Sequence, residues 1–279
     1  MVVDFHVHCF PDELAEKAIP ALAKCAGIPA RLNGTIDDIK KSMKQAKINK
    51  SVVLSIATKP TQTEKINNWA AEIQDDSIIA FGSIHPDYEG WKEEIWRIKE
   101  LGLKGIKLHP DYQQFFVDEE RMFPIYELAF SLDLIILFHA GVDIGLPAPF
   151  HCTPDRLLKV VKAFPQGKIV AAHMGGYRYW DEVEEKLVGE NLYFDTSYSL
   201  GWLDEAQAKR IMENHGFGKI LFATDSPWCD QAEEILKIKS LNLGYEAEKA
   251  ILGGNAEKLL GIRNNYLENL TKYNEGVVL

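Results

Sequence analysis

Eight short apolar segments, each followed by a stretch with helical periodicity, predict a single-domain α/β fold, the (β/α)8 TIM barrel. Parallel strands that are buried on both faces have continuous apolar sequences of this kind. A chain of 279 residues is long enough for one such barrel. The competing fold is a doubly wound open sheet, but no glycine-rich dinucleotide-binding motif follows any of the segments. The pattern therefore favours the closed barrel.

The predicted elements alternate along the chain. Strands are expected over residues 4–8, 51–56, 78–83, 104–108, 134–138, 168–172, 192–194 and 219–223. Helices are expected over residues 11–26, 35–47, 63–74, 91–101, 119–132, 155–164, 180–188, 204–214, 231–239, 246–252 and 255–260. The barrel is thus predicted to span residues 1–262, followed by a C-terminal tail over residues 263–279.

The connection between the first two strands is long. Its first helix is followed by a loop over residues 27–34, and Thr35 is the predicted N-cap of the next helix because acidic residues follow it. Long connections after barrel strands, and the loop over residues 142–153 after the fifth strand, are expected to line the mouth of the barrel.

The first strand carries a His-x-His motif at His6 and His8. Side chains alternate between the two faces of a strand, so both imidazoles are expected on one side, with Phe5 and Val7 on the other. Two residues of a strand span about 6–7 Å, which allows two imidazoles to bind one metal ion. Two histidines on a half-exposed strand without metal are the alternative interpretation.

Polar residues also follow the later strands, at the end where a barrel carries its catalytic groups. Six of the eight histidines occupy such positions. The polar residues at these ends are His6, His8, His85, Lys107, His109, His139, His173, Asp195 and Asp225. Three imidazoles and one carboxylate match a zinc site that retains a position for water. The predicted ligands are His6, His8, His139 and Asp225.

Seven short motifs occur in order along the chain. They are DFHVH, LGLKGIKLHPDYQ, LFHAG, AAHMGG, YFDTS, LFATDSPW and GGNAEKLLGI. This ordered set resembles the amidohydrolase superfamily, in the branch that includes aminocarboxymuconate-semialdehyde-decarboxylase-like proteins and many predicted metal-dependent hydrolases. The resemblance covers residues 1–262. It implies a barrel, a divalent metal that is usually zinc, the four ligands named above, and His173 as a catalytic residue.

A metal-activated water is the reagent that these residues would supply. Zinc lowers the pKa of bound water from near 16 to about 7. Asp225 is expected to accept the proton of this water and to pass it to the leaving group, while His173 orients the water or stabilises developing charge. The first hypothesis is therefore a hydrolase that acts on a C–N or C–O bond of a small molecule.

Three alternatives stay open. One is a non-oxidative decarboxylase of a small unsaturated or aromatic carboxylic acid. Decarboxylase members of the superfamily commonly bring an arginine into the pocket from the first connection, where Arg31 is the only candidate. Metal-dependent phosphodiester cleavage is disfavoured, because strand 4 lacks the glutamate of the similar deoxyribonuclease family. A non-catalytic metal-binding protein would bind metal without any turnover that depends on His173 or Asp225.

Four further residues are expected to contact the substrate, and they are Lys107, His109, Arg178 and Trp228. Lys107 stands where binuclear members of the superfamily carry a carboxylated lysine that bridges two metals. One metal is predicted here, so Lys107 or His109 would contact an anionic group, or Lys107 would pair with Asp195. Arg178 suits a carboxylate and Trp228 a flat ring; the alternatives are a solvated arginine and a core tryptophan.

Composition and charge narrow the choice of partners. The net charge is −10 and the lysines and arginines are not clustered, which argues against nucleic acid and anionic membranes. No segment approaches the roughly 18 apolar residues of a membrane helix or has the pattern of a signal peptide, so a cytoplasmic location is predicted. The four cysteines lack paired spacing and are expected to be reduced. The expected partner is a small-molecule substrate, and a homodimer is left open.

Overall fold

The computed structural model describes residues 1–262, which form the predicted barrel of eight parallel strands. The strands are Val3–Val7 (β1), Lys50–Leu54 (β2), Ile78–Phe81 (β3), Gly105–Leu108 (β4), Ile135–Phe138 (β5), Ile169–Ala171 (β6), Tyr193–Asp195 (β7) and Ile220–Leu221 (β8). Nearly every strand residue is buried, as expected for strands that are covered on both faces. The predicted tail, residues 263–279, lies outside the described residues.

Hydrogen bonds close the barrel at both seams between its two sheets, which contain β1–β3 and β4–β8. Between β3 and β4, Gly82 donates its backbone N–H to the carbonyl of Gly105 at 2.9 Å. After β8, Asp225 donates its backbone N–H to the carbonyl of His6 at 2.8 Å. The second seam therefore places the end of β8 beside the His-x-His motif.

Twelve α-helices are described within residues 1–262. They are Asp12–Ala26 (α1), Ile36–Ala46 (α2), Thr63–Glu72 (α3), Trp91–Glu100 (α4), Pro110–Gln113 (α5), Phe123–Ser131 (α6), Pro154–Ala163 (α7), Trp180–Lys186 (α8), Glu205–His215 (α9), Gln231–Ser240 (α10), Tyr245–Lys249 (α11) and Asn255–Leu260 (α12). Thr35 caps α2 as predicted, since its hydroxyl accepts the N–H of Asp38 at 3.2 Å. A π-helical turn, Ala250–Gly254, joins α11 to α12 without the predicted break. None of these described helices is long and apolar enough to cross a membrane.

An apolar cluster fills the barrel interior, and α12 closes the end at which the strands begin. Ala256, Leu259 and Leu260 of α12 belong to this interior cluster. The side-chain amide of Asn255 donates to the carbonyl of Ile220, at the start of β8, at 2.7 Å. The interior is therefore sealed at this end, and the carboxyl ends of the strands are the accessible ones.

The side on which Phe5 lies was predicted wrongly. Simple alternation places Phe5 on the same side of the strand as Val7. Instead, Phe5 lies in the barrel interior, with its ring centre 5.9 Å from that of Phe81. Val7 lies outside, in the cluster that packs the strands against the helices. The pairing register between β1 and β2 shifts between Asp4 and Val7, as at a β-bulge. This irregularity interrupts the alternation, so Phe5 and His6 both face inward.

Candidate metal centre and cavity

Three side chains, from β1 and from the end of β8, bring one ligand atom each to a common point. Nε2 of His6 lies 3.1 Å from Nε2 of His8, and Oδ1 of Asp225 lies 3.4 and 3.3 Å from these two nitrogens. Asp225 has a left-handed backbone, with φ 63°, a strained conformation that recurs at functional sites. Zinc–ligand bonds of about 2.0–2.1 Å in a tetrahedral site hold two ligand atoms about 3.3–3.4 Å apart. The three atoms therefore have the spacing of ligands around one ion.

The other ring nitrogens of the two histidines fix where the protons lie. Nδ1 of His8 lies 2.9 Å from the carbonyl oxygen of Leu54, which can only accept, so Nδ1 carries the proton. Nδ1 of His6 donates in the same way to Oδ2 of Asp195 at 2.9 Å. Burial, followed by the charge of Lys107, lowers the pKa of His6 well below its ordinary value and keeps the ring neutral. Both Nε2 atoms thus present lone pairs to the same point, an arrangement that a cation stabilises.

His173 and His139 form a hydrogen-bonded pair beside these three residues. His173 donates Nδ1–H to the carbonyl of Ser197 at 2.9 Å, and its Nε2 lies 3.0 Å from Nδ1 of His139. With His173 neutral, His139 is the donor of this bond, and its Nε2 carries a lone pair. Within residues 1–262 this Nε2 is buried without a hydrogen-bond partner, as expected of an atom that binds a metal or a ligand.

His139 also belongs to a second group, with His109 and Asp143. Ligand-type atoms of the three residues lie within 4.8 Å of one another, and the rings of His109 and His139 stack at 4.0 Å. Nδ1 of His109 accepts the N–H of Tyr112 at 3.3 Å, so Nε2 carries the proton and donates to Oδ2 of Asp143 at 3.2 Å. This pair needs no cation. Three of the four predicted ligands therefore converge, and His139 as the fourth ligand stays a prediction.

One cavity opens beside both groups at the carboxyl ends of the strands. Its volume is about 130 Å³, similar to the roughly 150 Å³ of a cavity that holds a benzene ring. The polar side chains that line it are His8, His139, Asp143, His173 and Asp225, and the aromatic ones are Phe10, Tyr112, Tyr177, Tyr198 and Trp228. The rest of the cavity wall is apolar and comes from the first connection and from the loop after β5. These residues are Leu22, Ala26, Ile28, Val142 and Ile144, so both segments that were predicted to line the mouth are confirmed. No lysine or arginine lines the cavity among the described residues.

The amidohydrolase family model matches residues 3–262. The chain belongs to the amidohydrolase family. It is thus a metal-dependent enzyme, in agreement with the resemblance of its motifs. The comparison with curated protein sequences gives no match.

Solved structures of low sequence identity share the fold of this amidohydrolase. An uncharacterized TIM-barrel protein from Bordetella bronchiseptica has a TM-score of 0.78 at 20% identity, over 93% of this chain and 98% of that one. 2,6-Dihydroxybenzoate decarboxylase from Rhizobium has a TM-score of 0.69 at 18% identity, over 94% and 98%. 5-Carboxyvanillate decarboxylase from Novosphingobium aromaticivorans, complexed with manganese and 4-hydroxy-3-methoxy-5-nitrobenzoic acid, has a TM-score of 0.72 at 17% identity, over 94% and 96%. These similarities show the TIM-barrel fold.

Lys107 lies inside the barrel of the amidohydrolase, next to the candidate ligand cluster of His6, His8 and Asp225. Its side chain is buried, and its Nζ lies 3.4 Å from Nε2 of His6, at the long end of the hydrogen-bond range. Burial lowers the pKa of Lys107 to about 8. Within residues 1–262 it forms no ion pair with Asp195, so the predicted alternative of a salt bridge is not seen. Lys107 faces His6, one of the predicted ligands, rather than the cavity.

The other residues predicted to contact the substrate are placed differently. Trp228 lines the cavity, whereas His109 is buried and bound to Asp143. Arg178 is exposed, with its guanidinium 5.5 Å from the ring centre of Tyr177, and does not line the cavity. Of these residues, only Trp228 is therefore brought to the cavity wall.

Sequence reasoning missed Asp143 and Ser197. Asp143 stands four residues after His139, in the loop that was expected to line the mouth, and therefore lies beyond the strand-end positions. The hydroxyl of Ser197 lies 3.1 Å from Nδ1 of His6 and 3.0 Å from Nδ1 of His173, so it contacts both rings. A carboxylate in a mouth-lining loop and the serine of the YFDTS motif were the available signals.

Proposed function

We propose that this amidohydrolase catalyses the metal-dependent, non-oxidative decarboxylation of a small aromatic or unsaturated carboxylic acid. The cavity carries the proposal, because it has the size of one ring, has aromatic walls and is lined by His8 and Asp225 of the ligand cluster. Similar folds include decarboxylases of hydroxylated aromatic acids, which supports this reaction over the hydrolysis that was the first hypothesis from sequence.

The proposal includes one divalent metal ion, with zinc as the first candidate. His6, His8 and Asp225 would hold it, and the unpartnered Nε2 of His139 is the proposed fourth ligand. Imidazoles with one carboxylate suit zinc, and manganese, which the similar decarboxylase structure contains, is the alternative. When bound, the ion compensates negative charge on the substrate oxygens and fixes their position.

The chain itself must move a proton in this reaction. Release of CO2 leaves the electron pair of the broken C–C bond on the substrate carbon, which must take up one proton. Although burial opposes it, the neighbouring imidazoles of His6, His8 and His173 lower the pKa of Asp225, so this residue is a carboxylate at rest. Asp225 would accept a proton from a substrate hydroxyl or from water and deliver it to the carbon. His173, held by Ser197, lines the same cavity and would stabilise charge on a substrate oxygen.

Hydrolysis of a neutral amide, ester or lactone is the second candidate, and one observation favours it. The described cavity wall contains no lysine or arginine, so an acid would depend on the metal ion for charge compensation. Arg31, the arginine that the first connection offers, is 52% exposed and pairs with Glu233 at 3.4 Å. The two candidates therefore differ in the charge of the substrate.

The test compares two substrate panels on protein loaded with zinc or manganese. CO2 release is measured from hydroxybenzoates and small unsaturated acids, and hydrolysis from esters, lactones and amides. We expect CO2 release that falls about 100-fold or more in Asp225→Asn and in His173→Asn. The exposed Asp155→Asn is the control and is expected to keep full activity. Hydrolysis without CO2 release would establish the second candidate, and bound metal without turnover in either panel would contradict both.

A further inference from the structure

Asp143 is the carboxylate of the described cavity wall that the proposed reaction does not use. It lies with His109 and His139, apart from the three converging ligands, and its side chain is 11% exposed. The side chain lines the cavity together with Asp225. A charged group in such a wall has either a structural role in the loop or a role in binding the substrate.

Two hydrogen bonds hold Asp143 in one orientation and leave it able to accept more. The N–H of Gly145 donates to Oδ1 at 2.7 Å, and Nε2–H of His109 donates to Oδ2 at 3.2 Å. Each carboxylate oxygen has two lone pairs, so each keeps one after these contacts. His109 is itself held by the N–H of Tyr112 and by stacking on His139. Asp143 is thus a preorganised acceptor at the cavity wall, which lowers the cost of binding a donor.

The charges around Asp143 decide which groups it can face. The described cavity wall has no lysine or arginine. Lys107, the buried cation whose charge interacts with Asp143, contacts His6 instead, and within residues 1–262 the two residues form no ion pair. A hydroxyl or amino group would therefore find a free acceptor here, whereas a carboxylate would meet a like charge without compensation.

We propose that Asp143 determines substrate specificity. It accepts a hydrogen bond from a hydroxyl or amino substituent and excludes a second carboxylate from this side of the cavity. The inference rests on the proposed function, because it assumes that the acid binds in this cavity at the metal site. It adds the substrate class, which is a small acid with one carboxylate and a hydroxyl or amino group on its ring or chain.

Binding of three ring probes to the zinc-loaded full chain tests this proposal without requiring turnover. The probes are 3-hydroxybenzoate, 3-methoxybenzoate and isophthalate, which share one carboxylate and differ in the second group. Wild type is expected to bind 3-hydroxybenzoate at least about tenfold more tightly than the other two, since a hydrogen bond to a charged acceptor contributes roughly ten- to hundredfold. Asp143→Asn is expected to lose this preference and to bind isophthalate about tenfold more tightly than wild type does, as measured by titration calorimetry.

A gain of isophthalate binding separates specificity from damage to the loop. Asp143→Ser is the second variant, because a serine hydroxyl can still accept the N–H of Gly145, and Asp155→Asn is the control that should keep the wild-type ranking. An unchanged ranking in both Asp143 variants, an equal loss for all probes, or no binding of any probe to wild type would overturn the proposal. If the Asp143 variants change the order of probe affinities but no acid releases CO2, the specificity proposal stands and the proposed decarboxylation is contradicted.

Discussion

Two groups of side chains at the mouth of the barrel contain the same kinds of residue and differ in where their protons lie. In the first group, Asp195 and the Leu54 carbonyl take the Nδ1 protons of His6 and His8, so two lone pairs meet beside Asp225. In the second group, the N–H of Tyr112 takes the Nδ1 lone pair of His109, and Nε2–H of His109 donates to Asp143, so of the two described imidazoles only His139 keeps a free lone pair. Histidine and aspartate within reach of each other are therefore not sufficient for a metal site. We propose that the partners of the outer nitrogens decide which group attracts a cation.

The largest effect that this comparison predicts is on metal binding by His6→Ala. The substitution removes one of three converging ligand atoms. We expect zinc affinity to fall by more than the roughly 10- to 100-fold that follows loss of an outer partner of a metal ligand. His109→Ala is the matched variant, since it removes a mouth imidazole whose nitrogens are already occupied, and it should keep nearly full affinity. Competition with a chelator measures both, and equal losses would show that proton positions do not separate the groups.

A smaller effect is expected from Asp195→Asn, which changes an outer partner rather than a ligand. The carboxylate of Asp195 accepts Nδ1–H of His6 and the backbone N–H of His173, and an amide in its place cannot match both contacts as a carboxylate does. We expect zinc to bind about 10- to 100-fold more weakly. The same measurement on Asp143→Asn, the carboxylate of the second group, should give wild-type affinity. A weaker site in both variants, to the same degree, would remove the distinction between the two carboxylates.

The fold was predictable because it depends on patterns that are local in sequence. Continuous apolar runs identified all eight strands, and Thr35 marked the start of α2. Phe5 was placed wrongly because a register shift against β2 depends on pairing with a distant segment, which the alternation within one strand does not contain. The joined helices α11 and α12 were missed because Gly253 and Gly254 suggested a break. The π-helical turn there packs against the N-terminus, where a Cβ on Gly253 would lie 2.1 Å from the carbonyl oxygen of Met1.

The site was predictable in its residue types and not in its hydrogen bonds. Ligand-type residues at the strand ends identified His6, His8 and Asp225 as neighbours, because closing a barrel brings β1 and β8 together. Which ring nitrogen of each imidazole carries the proton depends on residues far away in sequence, such as Asp195, which is 189 positions from His6. Asp143 was missed for a related reason, since its position in the cavity depends on a contact with His109, on another strand end.

His215 extends the comparison to a histidine outside the mouth. Its Nε2–H donates to the carbonyl of Leu192 at 2.9 Å, its Nδ1 accepts the N–H of Gly189 at 3.1 Å, and its ring stacks on Phe194 at 4.0 Å. Both nitrogens are thus occupied by the protein, as in His109, and no lone pair is left for a metal. Protonation would place a second ring proton against the N–H of Gly189. A histidine of this kind is expected to affect stability and not metal binding.

The smallest predicted effect is on the pH dependence of stability in His215→Gln. Burial lowers the pKa of His215 from 6.5 to about 4, so the unfolded chain takes up the proton first as the pH falls. The stability that the neutral ring contributes is therefore complete above pH 6.5 and is lost as the pH falls towards 4. Between pH 7 and pH 5.5 this loss is about 1 kcal/mol in the free energy of unfolding. His215→Gln is expected to be less stable at pH 7, yet its free energy of unfolding should fall by about 1 kcal/mol less than that of wild type over this interval.

Urea unfolding of both proteins measures the difference. Both are first stripped of metal with a chelator, so that acid release of the ion does not contribute. Parallel curves over the interval would mean that His215 does not sense pH, and reduced zinc affinity in His215→Gln would contradict the separation of occupied imidazoles from the metal ligands.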